Sequence, residues 1–434
     1  MSEQSKTSLK KVLKPIHLWA IAVGLVISGE YFGWNYGWGV SGTVGFLIAT
    51  LIVTVLYITF IYSFTELTTS IPQAGGPFAY AHRAFGPWGG LVAGYATLVE
   101  FLIAPPAIAF ALGSYTHFLY PQLSVLQVAI ACYVIFIGIN MLGIKESATF
   151  SLFVTILAVV ELLVYIGIVS PHFSYDTFVQ DPMPFGWQGI FAALPFAIWF
   201  YLAIEGVAMV AEEVENPKRT ISLGYIYGIL TLVILALAVM IVTGGVAHWS
   251  TLSTIDYPLP AALSIVLGED SGLTHLFASL GLFGLIASFH GTIIGYSRQI
   301  YALAREGFLP KFLGQVNGRF QTPHWALLAG GAIGCLALVL GTTDQVIIIA
   351  ALGAIVMYIV SMFALFVLRK KEPEMERPFK APCYPYFPAV ALLLSLLCLV
   401  AIIYYNFVLS LYFFAGLAIL GSIFTINQKY FAKN

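Results

Sequence analysis

Five ionisable residues stand inside long apolar runs, where water cannot carry their charge. Glu30 lies in SGEYFGWNYGW, Glu100 in LVEFLIAPP, Glu161 in VVELLV, Glu205 in FAIWFYLAIEGVAM and His290 in SFHG. Asp, Lys or Arg at the centre of a bilayer costs about 2.5 to 3.5 kcal/mol on insertion scales, and glutamate belongs in the same range. Four such costs in one chain point to function. A carboxylate held away from water binds a cation or passes a proton, and an imidazole titrates near neutral pH. The blander alternative is a protonated side chain hydrogen-bonded to nearby backbone or to a neighbouring helix. Trp34, Trp38, Trp199 and Tyr201 flank two of these glutamates. Each ring face is worth roughly 0.5 to 2 kcal/mol to a desolvated cation, although membrane aromatics also serve as packing and interface anchors.

Other chemistries lack their residues. The chain holds no HExxH, no GxSxG and no metal-spaced His/Cys cluster, so it is not read as an enzyme, and neither a metal nor a cofactor is expected. Cys132, Cys335, Cys383 and Cys398 fall in apolar runs or a short polar loop, without ligand spacing. A net charge of −1 with 9% charged residues provides no basic surface for nucleic acid.

The elements that must position these groups follow from hydropathy. Of 434 residues, 60% are hydrophobic, and the mean hydropathy is +0.92. This is the composition of an all-α polytopic membrane protein. Apolar stretches of about 20 residues, bounded by polar and turn residues, predict twelve spans at 16–39, 43–69, 87–116, 123–142, 147–170, 187–211, 220–247, 275–302, 324–341, 344–368, 386–407 and 410–427. All 19 Lys and Arg then fall on one face. The opposite loops carry Asp176, Asp181, Asp256, Glu269, Asp270 and Asp344. The positive-inside rule makes the basic face, with both termini, cytoplasmic. The first apolar run continues through Glu30 without a small-residue cleavage site, so it reads as a helix and not as a removed signal.

No loop is long enough to fold separately. Gly and Pro interruptions inside spans are tolerated where they line a cavity, and pairs of them at matching places in two halves point to a transport site. Span one is interrupted at Ser28-Gly29. Span six carries Ile204, then Glu205 followed by Gly206. The expected division is a tail over 1–15, a five-helix repeat over 16–170, a second, inverted five-helix repeat over 187–368, two peripheral helices over 386–427 and a tail over 428–434.

Four stretches carry a family likeness. ELTTSIPQAGGPFAYAHRAFGPWGG (66–90), AEEVENPKRTI (211–221), GYSRQIYALAREGFLP (295–310) and RPFKAP (377–382) resemble, in order and at proper spacing, the loops and helix ends of amino acid/polyamine/organocation permeases. Within that superfamily VISGEYFGWNYG (26–37), EEVENPKRT and SFHG look most like the ethanolamine permeases. The resemblance implies an inverted-repeat fold of five plus five helices, with discontinuous helices 1 and 6 and two peripheral helices.

In such permeases the first-helix break binds the substrate carboxylate through free N–H groups at a helix N-terminus. VGLVISGEYF aligns on that break, with Glu30 where the pattern expects glycine. A fixed anion there repels a carboxylate and attracts an ammonium. The implied substrate site is Ser28, Gly29, Glu30, Glu100, Trp199, Tyr201, Ile204 and Glu205. Some relatives carry the coupling proton on a lysine of the fifth helix. Counting from GIKESA, this chain has Ala158 there, which leaves Glu161, three residues on, and His290 as proton candidates. Glu66, Arg83, Glu212, Glu213, Lys218, Arg219 and Arg298 read as salt bridges of gates and loops.

The leading expectation is a secondary transporter in a bacterial inner membrane that imports a small amine, most of all ethanolamine, coupled to protons. The alternatives are a permease for neutral or cationic amino acids and an exchanger of amines or polyamines. Its partners would be the small amine, a proton and the lipid bilayer.

Overall fold

The computed structural model describes residues 13–73, 75–143, 148–268 and 271–431. Among these, nine helices are long and apolar enough to cross a membrane: Tyr36–Ser70, Pro87–Leu119, Thr149–His172, Gly186–Glu213, Pro217–Gly244, Gly272–Arg305, Thr343–Lys371, Tyr386–Tyr405 and Phe407–Ile426. The shorter helices Pro15–Val26, Val125–Met141 and His324–Leu340 complete the twelve spans. Proline stands at the start of Pro15–Val26, Pro87–Leu119 and Pro217–Gly244, where its missing N–H would have no helical partner anyway. Two further helices occupy stretches expected as loops: Pro77–Phe85 before span three, and Pro258–Leu267 between spans seven and eight.

Spans one and two are joined without a loop. The helical run Tyr36–Ser70 contains a corner at Gly42, with φ 70° and ψ 178°, a backbone open to glycine. A Cβ at Gly42 would lie 2.6 Å from Pro184 Cδ and 2.7 Å from Pro182 O. The segment after span five therefore packs against this corner. Pro182 O accepts from the N–H groups of Val44 and Gly45, and the Thr43 hydroxyl donates to Phe178 O.

Burial divides the bundle into centre and rim. In spans six, three and ten, 89%, 83% and 83% of the most apolar window is buried, against 33% and 22% in spans eleven and twelve. Spans three, six and ten form the centre, and the last two are peripheral. Span three packs along spans ten and eight, and span one lies against spans five, seven and eight.

Both predicted interruptions exist, each displaced along the chain. Span one is helical over Pro15–Val26 and Ser28–Tyr31 and unwinds at 32–35, where Phe32 is extended and Gly33 has φ 90°. The break thus lies one turn beyond Ser28-Gly29. Span six is helical over Gly186–Ala192 and Leu194–Trp199, turns at 200–203, and resumes as a 3₁₀ helix over Ile204–Glu213. Its break precedes Glu205-Gly206 and centres on Ala203, a non-glycine residue at φ 78°.

On the face that carries the basic residues, ion pairs tie the spans together. Arg298 at the end of span eight donates to Met209 O (3.2 Å) and Glu213 (3.4 Å) at the end of span six. Arg83 pairs with Glu372 (2.5 Å), and Lys218 pairs with Glu376. Leu13 exchanges backbone hydrogen bonds with Glu213 and Glu215. On the other face, Asp256 accepts from the Tyr36 hydroxyl (2.7 Å) and the Thr343 hydroxyl (3.0 Å), and Asn35 donates to Leu252 O and Ile255 O.

Burial pushes the Asp256 carboxyl up to about 6, with nearby Asp344 adding to the rise and the bonds from Tyr36 and Thr343 opposing it. A carboxyl whose folded value exceeds its unfolded one stabilises the fold at low pH and loses that contribution as pH rises from about 4 through 6. Wild type should therefore lose about 1 to 2 kcal/mol between pH 4 and 7 at this group, a figure discounted for its partial exposure. Asp256→Asn should remove that part of the slope, read as melting temperature against pH for the two proteins.

Candidate functional site

Breaking a helix in a membrane strands backbone donors and acceptors, and a buried orphan is costly. Here side chains from neighbouring spans take up those groups. The Trp199 indole donates to Phe32 O (3.0 Å), Trp34 to Glu30 O (3.1 Å) and the Tyr115 hydroxyl to Tyr31 O (3.1 Å). Around the second break, Ala203 N–H donates to Glu100 Oε1 (3.2 Å), and the Tyr225 hydroxyl donates to Glu205 O (3.2 Å). The first break is thus held by Trp199 of the second, by its own Trp34 and by span three, and the second break by spans three and seven.

The breaks meet at a small cavity of about 10 Å³, lined by Leu25, Val26, Ser28, Ala104, Ile108, Trp199, Leu202, Ala203 and Thr292. That is room for about one water molecule. Its walls come from spans one, three, six and eight. Polar edges are provided by Ser28 and Thr292. The Ser28 and Ser288 hydroxyls share a hydrogen bond (2.8 Å), and Ser288 donates to Leu25 O (2.6 Å), which joins spans one and eight beside the cavity.

Of the eight residues expected at the substrate site, Ser28 and Trp199 line this cavity. Gly29 provides the close crossing of the breaks, since a Cβ there would lie 2.4 Å from Trp199 O. Gly29→Ala forces the two breaks apart, an overpacking that costs about 1 to 3 kcal/mol. Uptake per molecule at the membrane should fall roughly tenfold, about the 1.4 kcal/mol equivalent, while the protein still inserts.

Glu30 is fully buried, is outside the cavity lining, and neither of its carboxylate oxygens has a hydrogen-bond partner among the described residues. Tyr201 turns to span two, where its hydroxyl bonds Thr54 (2.7 Å) and its ring meets Tyr57. Ile204 reaches toward Gly228 of span seven. Trp34 packs against Trp38, Phe46 and Phe200, a closed aromatic cluster with no face toward the cavity lining.

Glu100 accepts from the N–H of Ala203, two residues before Glu205, so the two carboxyls come together across spans three and six. Glu205 Oε2 accepts from the Tyr358 hydroxyl (3.1 Å), which also lies 2.9 Å from the Tyr57 hydroxyl. Glu161 of span five accepts from the Tyr31 hydroxyl (2.8 Å), so it touches the first break. His290, the other proton candidate, lies away from the first break and faces span four, with Nε2 3.3 Å from Asn140 Oδ1 and its ring against Phe136. Two residues along a helix point to nearly opposite sides, and Ser288 takes the side toward span one.

The residues that sequence reasoning missed include Thr292, Tyr31, Tyr115 and Tyr358. A signal existed for the first. Gly281, Gly284, Ser288, Thr292 and Gly295 lie at spacings of three or four on span eight, a small-residue face that lets another membrane helix approach. Gly281 and Gly284 meet the Tyr31 ring, and Gly295 meets Phe101. Nothing in the sequence around Tyr358 marks it.

Two broken helices crossing at a small cavity, inside a bundle of twelve spans, define a transporter of the discontinuous-helix class. A family model described as amino acid permease matches residues 13–425. The chain is 30% identical to an uncharacterized transporter of Rhizobium meliloti over 91% of this chain and 87% of that one. It is 26% identical to a methylthioribose transporter of Bacillus subtilis, over 90% and 88% of the two chains. With a branched-chain amino acid permease of the same organism it shares 25% identity, over 77% and 76%. The chain belongs to the amino acid permease family, within the amino acid/polyamine/organocation superfamily.

Proposed function

We propose that this transporter imports a small amine, most of all ethanolamine, driven by protons. The observation that carries the reading is a charge imbalance. Glu30, Glu100 and Glu205 each stand within four residues of a cavity-lining residue, and Glu161 touches the first break. Lys and Arg are absent from positions 15–82, 84–144, 146–217 and 220–297, and none of the ion pairs among the described residues involves these four glutamates. A site with acids and no resident cation favours a cationic cargo and bound protons. Ser28 and Thr292 offer hydroxyls to the ammonium or hydroxyl of the cargo, and Trp199 offers its ring face. Glu161 is the better of the two proton carriers expected from sequence, because it bonds the helix that breaks.

The site residues, the two repeats over 16–170 and 187–368, the bacterial inner membrane and the cytoplasmic placement of both termini belong to the same proposal. Spans one and six would rock against spans three and eight around the cavity. A second reading, a permease for a neutral amino acid, is favoured by the aliphatic lining of Leu25, Val26, Ile108 and Leu202 and by the branched-chain amino acid permease among the relatives. Uptake of labelled ethanolamine into proteoliposomes, with and without an inward proton gradient, separates the two. Gradient-driven uptake that excess ethanolamine blocks and leucine does not supports the amine. Leucine or alanine displacing the label more strongly than ethanolamine sinks it.

A further inference from the structure

Glu100 and Glu205 are fully buried, and their oxygens divide into two kinds. The outer pair is satisfied, Glu100 Oε1 by Ala203 N–H and Glu205 Oε2 by the Tyr358 hydroxyl. The inner pair, Glu100 Oε2 and Glu205 Oε1, has no donor from any other described group. Two ionised carboxylates cannot face one another in a low dielectric, because each then lacks a donor and each repels the other. One proton resolves both defects, since a carboxyl O–H on either residue donates to the carboxylate of its neighbour. Neither residue lines the cavity, although Ala203 and Ala104 beside them do.

We infer that Glu100 and Glu205 hold a single shared proton between spans three and six, and that this proton is the one exchanged when the two spans part. The inference rests on the proton-driven reading above and seats the coupling proton on this pair in place of Glu161. While the breaks are closed, the pair is one acid and one carboxylate with one negative charge. When span six moves away from span three, water enters between the carboxyls. The O–H bond on one of them breaks, its proton passes to water, and two separately hydrated carboxylates remain. Closing again without a proton would bury two facing anions, so reclosure requires a proton from the side that is then open. The order of opening and protonation becomes obligatory, which is what coupling means. Tyr358 and Tyr57 hold the far side of Glu205 in place and keep the acid aimed at its partner.

Glutamine is the informative substitution. Its carbonyl still accepts the outer bond and its amide still donates across the pair, so Glu100→Gln and Glu205→Gln keep the fold and remove only the proton. The experiment has two readouts on purified protein, wild type against each single variant and the double. Infrared difference spectroscopy on pH change should show one protonated carboxyl signal that disappears in either single variant, and no further loss in the double. Proteoliposome accumulation of labelled ethanolamine driven by a proton gradient should fall at least tenfold in each single variant and no further in the double. Loss of two separate carboxyl signals in the double, or wild-type gradient-driven accumulation by either single variant, overturns the proposal. The infrared readout needs no cargo, so it stands even if ethanolamine proves to be the wrong substrate.

Discussion

Glu30→Gln lowers ethanolamine uptake by roughly 30- to 150-fold at subsaturating substrate, with the protein present in the membrane at wild-type amount. The reasoning starts from size, because glutamine fills the same space and removes only the charge. Glu30 is two residues from Ser28, which lines the cavity, and both its carboxylate oxygens lack a partner among the described residues. A unit charge acting over about one helical turn at an effective dielectric near 20 is worth about 2 to 3 kcal/mol. That interaction acts on an ammonium in the cavity whether or not the two groups touch. The same substitution should leave the uptake of an uncharged competitor unchanged, which separates electrostatic attraction from damage to the break. Equal uptake by wild type and variant would mean that Glu30 is protonated throughout the cycle and serves only to fill the space behind the break. Amine recognition would then fall to Ser28, Thr292 and Trp199.

Most of the architecture was legible because a bilayer imposes one strong rule. Long apolar runs bounded by charge must be spans, and all twelve appear, with spans one and six both interrupted. The positions of the breaks were missed by up to a turn for a reason outside local sequence. Phe32 O is released at the break because Trp199, 167 residues away, is there to donate to it. Ala203 takes a positive φ because Glu100 of another helix accepts from its N–H. Local propensity contains neither partner. The side of span eight that faces the break was open to a better reading. His290 drew attention by its chemistry, while the small residues one helical face away recorded where span one lies. The pairing of Glu100 with Glu205 was illegible in principle, since each was read as a separate acid. Only their shared position explains why two costly carboxyls are kept in one bundle.

A second large effect is expected far from the cavity, at Glu66. Its carboxylate is 1% exposed and takes a two-point contact from Arg369, at 2.8 and 2.6 Å, a further approach from Arg377 at 3.2 Å, and the Ala381 N–H at 2.7 Å. One side chain of span two thereby holds the end of span ten and the segment that leads into span eleven. Arg369 also lies over the Tyr384 ring, 3.7 Å from its centre, so the guanidinium is fixed from two directions. Glu66→Ala leaves Arg377, 9% exposed, and Arg369, 22% exposed, without their common anion. Removing one partner of a buried ion pair costs about 3 to 5 kcal/mol, and the exposure of Arg369 moves the expectation to about 2 to 4 kcal/mol. Melting of the detergent-solubilised protein should shift down by several degrees for Glu66→Ala. Glu66→Gln should shift it less, because the amide still accepts from the guanidinium and the Ala381 N–H. Residual ethanolamine uptake per folded molecule should stay near wild type, since Glu66 touches neither break. If Glu66→Ala instead melts like wild type and loses transport, the cluster works as a gate that opens and closes during the cycle. The end of span ten then moves with spans one and six.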